Sequence, residues 1–150
     1  MTDCSTYGTT ATQGVFLPGT LGAALVGGGD VAFKCDGTIT IAPEIRINAD
    51  TRIDATGQSV TLSGNNTNSV FWISETRKLD LNNLTITGCG GSCYGGIHNV
   101  GGTVTLTNCV VTGNTAGFGG AGITNESWNN SLVLDFGHFR KNKQIAEMAK

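Results

Sequence analysis

The residues of this 150-residue chain whose types could do chemistry are few: five cysteines, at 4, 35, 89, 93 and 109, two histidines, at 98 and 138, and one short stretch dense in charge. That stretch is Arg46-Ile-Asn-Ala-Asp50-Thr-Arg52-Ile-Asp54. Gathered on one face, Arg46, Asp50, Arg52 and Asp54 would make an acid/base or sugar-binding cluster. The same alternation is more often a ladder of surface charges between neighbouring strands, and Glu75, Arg77, Lys78 and Asp80 read the same way. His98 falls in Gly95-Gly-Ile-His-Asn99, read as an exposed turn, and His138 lies in a different position of its own segment, so the two need not meet. Cys89-Gly-Gly-Ser-Cys93 has metal-compatible spacing, but only Cys109 is near enough to add a third ligand, which falls short of a zinc signature. The chain has no acidic set with calcium-loop spacing, no nucleophile motif and no phosphate-binding loop. The expectation is therefore no cofactor, no metal and no catalytic residue, with enzymatic activity left open but not favoured.

Four aromatic residues are the better candidates for holding a ligand: Phe71, Trp72, Phe118 and Trp128. Trp72 alternates with Phe71 and Ile73, which places it on the outer face of a strand if those two are buried. An outward tryptophan on such a flank is a credible contact for a sugar or a partner. Trp128 sits in Glu126-Ser-Trp-Asn-Asn130, an insertion that lengthens the last repeat, and a loop is a common place for a binding residue.

The elements that position these residues are set by a repeat. Leu79-Asp-Leu-Asn-Asn-Leu-Thr-Ile-Thr-Gly-Cys89, Val104-Thr-Leu-Thr-Asn-Cys-Val-Val-Thr-Gly-Asn114 and Leu132-Val-Leu-Asp-Phe-Gly-His-Phe-Arg-Lys-Asn142 align without gaps, at near-equal spacing along the chain. Positions one, three and eight are apolar in all three. Val60-Thr-Leu-Ser-Gly-Asn65 and Thr38-Ile-Thr-Ile41 are looser copies. A second motif is interleaved with the first: Gly95-Gly-Ile-His-Asn99 returns, at much the same spacing, as Ala121-Gly-Ile-Thr-Asn125. Alternation within a unit gives strands with one buried face; recurrence between units stacks them around one apolar column. Antiparallel hairpins in a β-sandwich would need turns but no long-range identity between units. Gly88, Gly101, Gly102 and Gly113 mark the turns, and Asn83 with Asn108 should form an amide ladder along the stacking axis, as should Asn114 with Asn142.

A stack of this kind exposes its core at each end, so its ends need caps. Thr20 reads as the N-cap of a short helix over Leu21-Gly-Ala-Ala-Leu25 that Gly27 stops, with Leu21 and Leu25 facing the first coil. Lys143 to Lys150 has helical composition but is short for covering a coil. The expected fold is all-β: a right-handed, single-stranded parallel β-helix of about five coils. It forms one domain over residues 1–150, with a cap over 1–30, coils over 31–142 and a tail over 143–150. The weak C-terminal cap makes homo-oligomerisation through coil ends or flanks an expectation. A local disulfide between Cys89 and Cys93 fits one turn, and Cys4 with Cys35 would tie the N-terminal segment to the first coil. Cys109 then stays a buried small hydrophobe in the position of Leu84. Two such pairs point to an oxidising compartment; five reduced cysteines are the alternative.

Only 13% of residues are charged, 23 are glycine, and the net charge is −2. Residues 137–150 carry +3, which leaves −5 for the rest and argues against nucleic acid as a partner. No window reaches the ~20 apolar residues of a membrane span, and no basic and apolar run of a signal peptide follows Met1.

Gly29-Asp-Val-Ala-Phe-Lys-Cys-Asp-Gly-Thr-Ile-Thr-Ile41 and Thr51-Arg-Ile-Asp-Ala-Thr-Gly-Gln-Ser-Val-Thr-Leu-Ser-Gly64 resemble the bacterial secreted proteins with pectin-lyase-like right-handed β-helices. Leu81-Asn-Asn-Leu-Thr-Ile-Thr-Gly88 and Gly101-Gly-Thr-Val-Thr-Leu-Thr-Asn108 have their repeat style. Gly119-Gly-Ala-Gly-Ile123 with Phe139-Arg-Lys-Asn142 is similar to the GGA(I) and FxxN repeats of polymorphic outer-membrane proteins. The resemblance spans about residues 20–142 and implies the fold more firmly than any activity. It implies an extracellular or cell-surface module, structural or adhesion-like and non-catalytic, with a polysaccharide or another surface protein as partner. A polysaccharide lyase or hydrolase remnant is the alternative. The chain lacks the calcium-binding Asp sets of the lyases and is much shorter than they are. A third expectation is an ice-binding solenoid, raised by Thr38-Ile-Thr40, Thr85-Ile-Thr87 and Thr103-Val-Thr105-Leu-Thr107; it requires those rows to stack flat in consecutive coils, and their offsets are uneven.

Overall fold

The computed structural model describes residues 1–8, 18–126, 131–135, 138–140 and 143–144, with side chains through residue 126. The chain winds into a parallel β-solenoid in which each coil contributes one short strand to each of three sheets. The first sheet contains Gly29–Ala32, Thr51–Asp54, Lys78–Asn82, Thr103–Thr107 and Ser131–Asp135. The second contains Gly37–Thr40, Val60–Ser63, Leu84–Thr87, Val110–Thr112 and His138–Arg140. The third contains Ile45–Ile47, Phe71–Ile73, Ile97–Val100 and Ile123–Glu126. Five strands in each of two sheets close about four turns, one fewer than the repeat count leads one to expect.

The register follows the repeat. Leu79 pairs with Val104 and Val104 with Leu132, and Val111 lies between Ile86 and Phe139. On the third sheet Ile45, Phe71, Ile97 and Ile123 succeed one another at a constant step in sequence. On the second sheet the step lengthens from coil to coil, through the pairs Gly37 with Val60, Val60 with Leu84, and Thr85 with Val110. Corners absorb the difference while the strands keep register.

Inside, the alternating apolar residues stack in files: Val31, Ile53, Leu81 and Leu106 from the first sheet; Ile39, Leu62, Ile86 and Val111 from the second. All eight are buried, and each Ile or Leu so buried is worth roughly 1.5–3 kcal/mol. Cys109 occupies the file position of Leu84 and is a fully buried free thiol, with burial pushing its pKa up.

The corner between the first and second sheets narrows to one residue at Asn83 and to two at Asn108 and Cys109. Asn83 (φ 60°) and Asn108 (φ 53°) take the left-handed backbone there, a conformation asparagine tolerates better than most residues. Asn108 Nδ2 donates to Asn83 Oδ1 at 2.6 Å, and Asn83 Nδ2 donates to Thr56 Oγ1 at 2.7 Å. The expected amide ladder is therefore built over three coils. Asn114 is buried at the next corner, where its Oδ1 accepts from Cys89 N–H at 3.0 Å; Asn142 lies outside the described residues. Gly102 shows why that turn takes no side chain: a Cβ would strike the Ile73 side chain below.

At the N-terminal end Leu21–Ala24 forms one helical turn, and Thr20 Oγ1 accepts from Ala23 N–H at 3.5 Å. Leu21 is fully buried and Leu25 packs against the core, as the cap requires. Met1 reaches the end of the first strand: its amino group donates to the Ala32 carbonyl at 3.2 Å, and Lys34 N–H, just beyond the strand, donates to the Met1 carbonyl at 2.9 Å. The Cys4–Cys35 disulfide fastens this segment to the first coil, and Cys89–Cys93 closes a turn. At the other end Lys143–Gln144 is a strand paired with Thr115–Ala116, so the tail does not start as a helix: parallel backbone pairing outweighs its helical composition. Residues 145–150 lie outside the described residues.

Candidate functional site: an aromatic row on the third sheet

Because Ile45, Phe71 and Ile97 point inward, the residues after them point outward, and the constant step stacks Arg46, Trp72, His98 and Thr124 in one file. Trp72 thus stands on the outer face, as its alternation predicts. The Arg46 guanidinium sits 4.6 Å from the centre of the Trp72 ring and is held by Glu44 Oε1 at 3.1 Å. The other side of Trp72 meets His98 edge-on, with centroids 6.4 Å apart. His98 in turn stacks on Tyr94 at 4.3 Å with planes 9° apart, and Tyr94 stacks on Phe118 at 5.3 Å. The result is a continuous row in which Arg46, Trp72 and His98 follow the solenoid axis, and Tyr94, from the same coil as His98, carries it on to Phe118.

His98 corrects the sequence reading. It belongs to the strand Ile97–Val100, not to an exposed turn, and only 7% of it is exposed. Tyr94 covers one face of its ring, and Nε2 lies 3.0 Å from Glu126 Oε2. Tyr94 and Phe118 project from the corners that lead into the third sheet, with Tyr94 directly after the Cys89–Cys93 turn. Two hollows flank Tyr94. One, of about 420 Å³, is walled by Arg46, Trp72, Asn68, Ser69 and Tyr94; the other, of about 600 Å³, is walled by Tyr94, Phe118, Thr124, Asn125 and Glu126. Such a surface combines apolar faces with hydrogen-bonding groups at fixed places, the combination a sugar ring needs.

Of the four residues in the charged stretch, only Arg46 belongs to this row. Arg52 points outward from the first sheet, in file with Asp30 and Asp80 on the coils before and after it. Its guanidinium binds Asp54 Oδ2 at 3.0 Å. The Thr56 hydroxyl, donating to Asp54 Oδ1 at 2.6 Å, holds that carboxyl below its ordinary pKa, helped by Thr56 N–H and by Arg52. Asp50, at the corner, accepts from Lys78 N–H at 3.0 Å. Arg46, Asp50, Arg52 and Asp54 therefore do not share one face, because a corner at 48–50 sends the strands before and after it to different sheets. Trp128 lies outside the described residues. Among the described residues no three His, Cys, Asp or Glu side chains are gathered as metal ligands.

The second sheet has a different exterior. Thr38, Thr61 and Thr85 form one outward file, and Thr40, Ser63 and Thr87 a second beside it. The expected rows at 38–40 and 85–87 do stack, joined by 61–63, whereas 103–107 belongs to the first sheet. Compared with family models, with curated proteins and with solved structures, the chain matches none.

Proposed function

We propose that the chain is a non-catalytic, extracellular β-helix module of the pectin-lyase-like kind, structural or adhesion-like, that holds glycans along the outer flank of its third sheet. The row from Arg46 through Trp72, His98 and Tyr94 to Phe118 carries the reading. Each ring is held by its neighbour, so little side-chain freedom is lost when a ligand lies against the row. The file of Arg46, Trp72 and His98 follows the axis of the solenoid, the direction in which a linear polymer meets successive coils. Two disulfides support an oxidising, extracellular setting.

The test is calorimetry of the whole protein against a panel of soluble oligosaccharides, with Trp72→Ala and Tyr94→Ala beside it. Binding that both variants weaken by about tenfold or more supports the reading. Absence of binding across the panel, with the variants folded, overturns it. Release of unsaturated or reducing ends from pectate or alginate in the presence of calcium would replace it with the lyase or hydrolase alternative.

A second reading rests on the second sheet. The paired files of Thr38, Thr61, Thr85 and Thr40, Ser63, Thr87 present uncharged hydroxyls about 4.8 Å apart along the axis and about 7 Å across it. A repeating grid of hydroxyls of that kind suits ordered water or ice. Thermal hysteresis that Thr61→Lys removes would establish it, and freezing indistinguishable from a buffer control would dismiss it.

A further inference from the structure

We infer that the hollow between Trp72 and Tyr94 is a subsite for an uncharged sugar, so that the favoured glycan is neutral rather than a uronate or an ammonium-bearing amino sugar. This rests on the glycan reading above and adds the charge class of the ligand. Among the described residues that line this hollow of about 420 Å³, Glu44 and Arg46 carry the two permanent charges. They hold each other: Arg46 Nη2 donates to Glu44 Oε1 at 3.1 Å, and the guanidinium lies over Trp72 at 4.6 Å. The Arg46 side chain is the more exposed of the two, 58% against 26%. What faces a ligand is therefore a set of guanidinium N–H groups whose charge the carboxylate beside them offsets. His98, in the same wall, is engaged through Nε2 with Glu126 Oε2 at 3.0 Å.

Asn68 supplies the complementary group. Its Nδ2 donates to the Ile41 carbonyl at 3.4 Å and to Thr67 Oγ1 at 3.0 Å. A carbonyl can only accept, so the Ile41 contact fixes which end of the amide is the NH2. The Thr67 hydroxyl spends its own hydrogen on the Gly64 carbonyl at 3.0 Å, so toward Asn68 it accepts. Both amide hydrogens are thus used, and among the described residues Asn68 Oδ1 has no donor. The hollow offers N–H donors from Arg46 and a fixed acceptor in Asn68 Oδ1. A sugar hydroxyl both donates and accepts, so two neighbouring hydroxyls can satisfy both groups. A carboxylate only accepts: it leaves Asn68 Oδ1 unmatched and meets the charge of Glu44. An ammonium only donates, and it meets Arg46. Either charged ligand strips water from a polar group without replacing it, a cost that a hydroxyl avoids.

The whole protein is titrated calorimetrically with matched hexamers of one linkage, glucose against glucosamine and mannose against mannuronate, at a pH where the amino and carboxyl groups are ionised. N-acetylglucosamine hexamer, in which the amino group is neutral again, completes the set. Each uncharged hexamer should bind about tenfold or more tighter than its charged counterpart, and its affinity should be indifferent to salt. Two variants at the surface pair should then shift the preference in opposite directions. Glu44→Gln leaves Arg46 without its carboxylate and should raise mannuronate binding relative to mannose by about threefold or more. Arg46→Gln should raise glucosamine relative to glucose by a similar factor. Circular dichroism checks that both fold, and the preference of the parent stands as a test without them. Equal or tighter binding of a charged hexamer to the parent, lost in Trp72→Ala, overturns the neutral subsite and leaves the glycan reading standing. A preference for uncharged hexamers that neither Glu44→Gln nor Arg46→Gln shifts overturns the assignment to this hollow. Failure of every hexamer overturns both readings.

Discussion

On the second sheet the side chains between Ile39, Leu62 and Ile86 are hydroxyls; on the third, the side chains between Ile45, Phe71 and Ile97 are a guanidinium, an indole and an imidazole. Both exteriors stand on buried files of the same solenoid. What differs is how the outward residues are held. The hydroxyls belong to strands whose corners vary in length, and they need nothing from those corners. The rings on the third sheet lean on Tyr94 and Phe118, which the corners supply. A regular strand position is thus enough for a repeating polar face, whereas the aromatic face needs the strand file and the corner residues to agree.

Breaking the shared foundation should have the largest effect. Phe71 is fully buried beneath Trp72, so Phe71→Ala should cost about 3–5 kcal/mol in chemical denaturation and loosen the aromatic row with it. A loss under ~1 kcal/mol would mean the row does not depend on that column. Next come the disulfides. Cys4–Cys35 has a sequence separation of 31, and replacing both cysteines by serine should cost about 3–4 kcal/mol; the Cys89–Cys93 pair, with a separation of 4, should cost about 2 kcal/mol. The second loss should nonetheless be the one that harms glycan binding, because it frees the corner that carries Tyr94. If the two double variants bind alike, the corner is not what orders the row.

Crossed substitutions sharpen the contrast between faces. Thr85→Lys should leave glycan affinity within about twofold of the parent, while Trp72→Ala lowers it about tenfold with a stability change near ~1 kcal/mol. The smallest effect concerns acid. The Asp54 carboxyl has a folded-state pKa below its unfolded value, so its contribution to stability is full above the ordinary carboxylate range. That contribution disappears as pH falls through the folded value. Asp54→Asn should therefore flatten the acid limb of the stability curve and leave binding on the third sheet untouched. Urea midpoints between about pH 2 and pH 6 read this directly.

Much of the fold is legible in the amino-acid sequence. Alternation assigned the buried residues, and the gapless repeat assigned the pairings Leu79 to Val104 and Ile97 to Ile123, because parallel stacking places like residue on like. Trp72 on the flank followed from the same alternation. The site was only half visible. Extending the step between the two Gly-Ile motifs from His98 back to Trp72, and from there to Arg46, would have found the file. Tyr94 gave no such signal and Phe118 only its aromatic type, since corner residues follow no period and their approach depends on how each corner folds; Glu126, at the end of its strand opposite Val100, was not singled out for the site. The charged stretch divides for a related reason: residues near in sequence across a corner part in space, so Arg46 and Arg52 end on different sheets, and Arg52 joins Asp30 and Asp80 in the kind of surface charge ladder that its alternation favours.

The uniform step of the third sheet also makes the chain divisible. A segment running from one outward position to the residue before its successor, such as 72–97, is one complete circuit with matching ends. Copying it in tandem by recombination would lengthen the molecule by one storey without a frameshift in any sheet. Each added storey would repeat the tryptophan, and the aromatic row would grow in proportion. Such a chain should also unfold at higher denaturant, since every internal coil brings its own interface with the next. Growth by whole circuits is thus open to this architecture, and the length of its outward row becomes a heritable dimension.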